Sequence, residues 1–108
     1  RTMQELALVE EVLARLGASS GDVSYGIDEV SEDAASGAVE IILVCDETLR
    51  GSEEGRRRLE ETLRLVEGKG GKVVVVSTGH EGGRKLESLG GVAALLRYAR
   101  HRADQTIS

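Results

Sequence analysis

Two short apolar runs constrain this chain more than anything else in it. Val39 to Cys45 reads VEIILVC, and Lys72 to Ser77 reads KVVVVS. Both are too short for an ordinary helix and rich in β-branched residues. Each is therefore predicted as a strand buried on both faces, and the two as neighbouring central strands of one sheet. Between them Ser52 can cap a helix whose apolar stripe is Leu59, Leu63 and Val66. Glu60 and Arg64 sit on its outer side at i,i+4, and Gly68, Gly70 and Gly71 end it.

The flanking segments supply the rest of the alternation. Thr2 to Glu5 has capping-box spacing, after which Leu6, Val9, Leu13 and Leu16 recur at helical period up to Gly17. Asp22 to Gly26 (DVSYG) reads as a brief strand, and Ile27, Val30 and Ala34 as a short helix ending at Gly37. Thr78 and Glu81 repeat the capping-box spacing and open a helix through Leu86 and Leu89, stopped by Gly90 and Gly91. Val92 to Tyr98 fits either period, and the preceding glycine doublet and its shortness favour a strand. Residues 99–108 are polar and expected to fray. Strands alternating with helices predict an α/β fold, a three-layer α/β/α sandwich with about four strands. The 108 residues have room for one domain, spanning 1–108. With no Phe or Trp, its core must be aliphatic.

The same reading narrows function. A net charge of -5 disfavours a general nucleic-acid binder, which carries a broad basic face. The basic clusters Arg56-Arg57-Arg58 and Arg97, Arg100, Arg102 read as a solvated helix face and tail. The single cysteine, Cys45, lies in an apolar run and reads as a small buried hydrophobe. No stretch approaches a membrane span and no signal peptide is visible, so no membrane partner is expected and the cytoplasm is the default. A start at Arg1 suggests processing or a piece of something longer. The GKGGK stretch (Gly68 to Lys72) is no P-loop, because Val73 and a strand follow the lysine where Ser or Thr and a helix are required. No G-x-G-x-x-G opens a helix after a strand. His80 beside Glu81 could serve acid–base chemistry, but Glu81 reads as part of a helix start. Ser77 or Cys45 as nucleophile would have only His80 as base. Two scattered histidines do not make a metal site. The expectation is a binding module with no catalytic residues, metal or cofactor.

Several motifs in order then point further. VSYGIDEV, GAVEIILVCDETLR and GGKVVVVSTGHEGGRKLESLGGVAALLRY resemble the C-terminal domain of the Pelota family of ribosome-rescue factors and the related class I release factors. The likeness covers about Val9 to Tyr98. It implies the fold of the ribosomal L7Ae/L30e proteins, an α/β/α sandwich with a mixed four-stranded sheet, and supports a strand at Val92 to Tyr98. It also implies a docking module without peptidyl-hydrolase chemistry. The expected partners are an EF1α-type GTPase, an ABC-type recycling ATPase and, through the full-length factor, the ribosome. Direct sequence-specific nucleic-acid binding is not expected.

Short loops and one cysteine favour Pelota over a release factor, whose matching domain often carries an inserted subdomain. The alternatives are that release-factor domain or a free-standing L7Ae-like RNA-binding protein. The partner-binding residues implied are Glu81, Arg84, Lys85 and Ser88 on the outer side of a helix, the Gly90-Gly91 turn, and Arg97 and Tyr98. Two departures stand out. Ala34 replaces a longer apolar residue, so the short helix is expected to pack loosely. Arg84-Lys85 replaces a polar or acidic pair, altering the charge offered to a partner.

Overall fold

The computed structural model describes residues 2–100. Its elements are α1 (Thr2–Ala18), β1 (Val23–Tyr25), α2 (Ile27–Ala35), β2 (Val39–Cys45), a 3-10 turn (Thr48–Arg50), α3 (Glu53–Gly68), β3 (Lys72–Val76), α4 (Glu81–Ser88) and β4 (Val92–Leu96). The sheet order is β1-β4-β2-β3. β2 and β3 are parallel, while β4 runs antiparallel to both β1 and β2. The mixed four-stranded α/β/α sandwich expected from the sequence is what forms.

Two aliphatic cores flank the sheet. On one side α2 and α3 bring Val30, Ala34, Leu59 and Val66 against Ile42, Val44, Val92 and Ala94. On the other, α1 and α4 bring Val9, Val12 and Leu86 against Leu43, Cys45, Val76, Ala93 and Leu95. Alternate residues of β2 thus feed opposite cores, as the period of a strand requires. The alternation slips once. Val39 faces Leu96 and Ile41 faces Leu95, so Glu40 is an extra, exposed residue bulged out of the ladder. Among the described residues no helix is long and apolar enough to cross a membrane.

Four expectations need correcting. β3 neighbours β2 but is an edge strand, not a central one, and Val75 is 40% exposed. An apolar run reports cover over a strand's faces and carries no information about pairing on its second edge. The strand itself ends at Val76, and β4 at Leu96. α1 is already helical at Thr2, a residue too early for the capping-box spacing, and the Glu5 carboxylate reaches across to the loop after β3. Finally, Ala99 and Arg100 are not a frayed tail. The Arg100 N–H donates to Gly21 O, and its guanidinium meets the buried Asp33 carboxylate at 2.9 Å. Residues 101–108, with Arg102, lie outside the described residues.

Candidate functional site

The stretch from Ser77 to Tyr98 was expected to form one docking surface, and its construction begins with the loop after β3. Thr78 donates both its N–H and its hydroxyl to Asp46 Oδ1, at 3.1 and 2.9 Å. Those bonds hold the Asp46 carboxyl below its ordinary value of 3.8, the Thr78 hydroxyl contributing most. The Ser77 N–H donates to Glu5 Oε1, and the Gly79 N–H to Ser77 Oγ. Thr78 is thus spoken for and does not cap the helix, contrary to the expected capping box. The cap is His80, whose Nδ1 accepts from the Gly82 N–H at 3.1 Å. Its Nε2 lies 2.9 Å from Glu5 Oε1.

Glycines let α4 sit this low. A Cβ on Gly83 would lie 2.0 Å from Ser77 O, which no rotamer change can relieve. The Gly83 carbonyl instead accepts from the Cys45 thiol at 3.3 Å. Burial pushes that thiol up to about 11, with Glu87, Asp46 and Glu47 adding to the shift. Cys45 is the small buried residue expected, in a setting that disfavours its thiolate.

With Leu86 buried below, the outer side of α4 is left to the sequence-expected residues. Glu81, Arg84 and Ser88 are exposed and Lys85 is half-buried. Lys85 Nζ pairs with Glu10 of α1 at 2.9 Å and with Glu81 at 3.5 Å. Its pKa is raised, chiefly by the hydrogen bond to Glu10. The Ser88 hydroxyl donates to Lys85 O. Arg84 has no side-chain partner among the described residues. Gly90 and Gly91 both have positive φ, at 102° and 84°, which explains the doublet. Only Gly90 is exposed. Gly91 is buried, and a Cβ there would fall 2.1 Å from Thr48 Oγ1.

Arg97 and Tyr98 do not join this face. β4 carries the chain away along the sheet, roughly 20 Å at ~3.3 Å per residue. Arg97 N–H donates to Ala38 O, Nε to Val39 O and Nη2 to Lys69 O, tying the start of β2 to the C-terminal end of α3. Tyr98 is 52% exposed beside it. The single surface expected is therefore two, at opposite ends of the sheet. Sequence reasoning missed Glu5, Asp46 and His80 as the residues that hold α4. Only the His80–Glu81 pairing hinted at them. Among the described residues no three His, Cys, Asp or Glu side chains converge as metal ligands.

A family model described as eRF1 domain 3 matches residues 2–100. A Pelota homologue from Thermococcus kodakarensis is 50% identical over 98 residues, covering 91% of this chain and 27% of that protein. The chain thus spans about a quarter of the length of the curated relatives it matches. Saccharomyces cerevisiae Dom34 superposes with a TM-score of 0.88 at 31% identity, over 94% of this chain and 29% of its own. That protein is described as a translation termination-like factor involved in RNA quality control pathways and interacting with Hbs1. An archaeal Pelota, in a ribosome-bound arrangement with ABCE1, gives 0.81 at 48% identity, over 94% of this chain and 28% of its own.

Proposed function

The chain belongs to the eRF1 domain 3 family, with Pelota homologues as its relatives, and on that footing we propose that it is the partner-docking C-terminal domain of a Pelota-type ribosome-rescue factor. It acts in the cytoplasm, without chemistry of its own, by binding an EF1α-type GTPase and an ABC-type recycling ATPase on stalled ribosomes.

The observation that carries this reading is the outer face of α4. A helix anchored from below by Glu5, Asp46 and Gly83 presents Glu81, Arg84 and Ser88 outward on a rigid base. Arg84, whose side chain has no partner among the described residues, can offer a bidentate contact to a carboxylate. Rigid presentation lowers the ordering cost of binding, which suits a protein contact. Tyr98 forms a second, separate contact at the far end of β4, where an exposed aromatic can anchor. His80 is used as a cap and Cys45 is buried, so neither supports a catalytic reading.

Calorimetric titration of the full-length factor with an EF1α-type GTPase tests it. Arg84→Glu/Lys85→Glu is expected to weaken binding at least tenfold with the fold intact. Affinity unchanged within threefold in that variant and in Arg97→Ala would place the docking surface elsewhere.

A further inference from the structure

We infer that His80 is a proton-sensitive helix cap: a second proton on its ring keeps the hold on Glu5 and breaks the bond to Gly82, which loosens the first turn of α4 while the loop stays tied to α1. Its consequence for partner affinity rests on the docking reading above. The cap itself does not.

The hydrogen bonds assign the tautomer. Nδ1 faces the Gly82 N–H at 3.1 Å, a donor, so Nδ1 must carry the lone pair. Nε2 faces a carboxylate oxygen at 2.9 Å, so Nε2 carries the proton. A second proton can go only to Nδ1, where it would set one donor against another. On the other side Nε2–H donates to Glu5 in both forms, and the second proton turns that bond into an ion pair that keeps the ring in place. An imidazolium at the N-terminal end of α4 also opposes the positive end of the helix dipole.

Gly82 sits close under the ring. A Cβ there would lie 2.9 Å from His80 Cε1 and 3.3 Å from Leu6 Cα, so the first turn of α4 packs directly against the imidazole and α1. Its side chain is 19% exposed and that of Glu5 10%. Of the charged groups on the elements around it, Glu81 pairs with Lys85, Lys85 also with Glu10 of α1, and Asp46 at the end of β2 accepts twice from Thr78, while Arg84 has no side-chain partner among the described residues. The bond that a second ring proton opposes is the one to Gly82.

Nuclear magnetic resonance on this chain tests the idea. Long-range 1H–15N correlations of His80 should show the Nε2–H form in base and both ring nitrogens protonated in acid. Between those two forms the protection of the Gly82 N–H against exchange should fall at least tenfold, and that of the Ser77 N–H less than threefold. His80→Asn supplies a cap with no ring nitrogen to protonate, and should keep Gly82 protected in acid and base alike. An Nδ1–H tautomer in base would overturn the inference. So would Gly82 protection that stays level while the ring takes its second proton, or an equal loss in His80→Asn. If Gly82 loosens in acid while GTPase affinity holds, α4 is not the docking face and the cap stands.

Discussion

The segment from Ser77 to Arg100 is fastened at its two ends by opposite means. At the α4 end the fastening is done from beneath, by Asp46 on Thr78, Glu5 on Ser77 and His80, and a glycine pressed on Ser77. The outward cation Arg84 takes no part. At the other end the cations are the fasteners. Arg97 holds the carbonyls of Val39 and Lys69, and Arg100 holds Asp33. Arg84 and Arg97 are both exposed, yet among the described residues the Arg97 guanidinium is bonded to carbonyls and that of Arg84 is not. An exposed arginine is available to a partner only when its own fold does not already use it.

The largest effect should come from the strand that joins the two ends. Ile42 is fully buried midway along β2, and Ile42→Ala should cost about 2–4 kcal/mol in urea denaturation. It should weaken both ends together. Gly83→Ala acts on one end. Its methyl group meets rigid backbone, so a loss of about 2–3 kcal/mol is expected. Exchange should rise across α4 and not around Arg97. Uniform loosening would mean the two ends are not independent.

Arg100→Ala is the counterpart at the other end. It removes one charge-assisted hydrogen bond from a fully buried carboxylate, and about 2 kcal/mol should be lost. Arg97→Ala should cost about 1 kcal/mol, the worth of its carbonyl bonds, and leave the protection of α4 unchanged. Should Arg97→Ala weaken GTPase binding while stability holds, its guanidinium serves a partner after all.

The smallest effect is in acid, and each end contributes one carboxylate. Asp46 is held low chiefly by the Thr78 hydroxyl and Asp22 chiefly by the Ser20 hydroxyl, both below an ordinary 3.8. A depressed folded-state pKa adds stability that is present above the ordinary value. That stability is lost as pH falls through the lower one. Denaturation midpoints should therefore drop below about pH 4, and the drop should be shallower in Thr78→Val and in Ser20→Ala. Equal acid profiles in wild type and both variants would assign the acid loss to other groups.

Much of this architecture was legible from the residues. VEIILVC and KVVVVS announced strands, the leucine and valine stripes announced α1 and α3, and the Gly90-Gly91 doublet marked a turn with positive φ. What was not legible was which neighbour each group would find. β3 looked as central as β2, yet Val75 stands partly open at the sheet edge, so Val75→Ala should cost about 1 kcal/mol or less. Thr78 looked like a helix cap because its spacing to Glu81 was right. It lost that role to His80 because Asp46, distant in the chain, offered both its N–H and its hydroxyl an acceptor.

The division follows from what each kind of information measures. Periodicity, β-branching and glycine placement are local, and they were enough to determine the order of helices and strands, two aliphatic cores and membership in a family. Competition for a hydrogen-bond partner is not local. Glu5 sits a whole domain away from His80 in sequence and 2.9 Å from it in space. Arg97 reaches Lys69 only because β4 ends beside the last turn of α3. The backbone had to close before either side chain could be assigned to the fold or left free for a partner. Tertiary structure alone made that assignment.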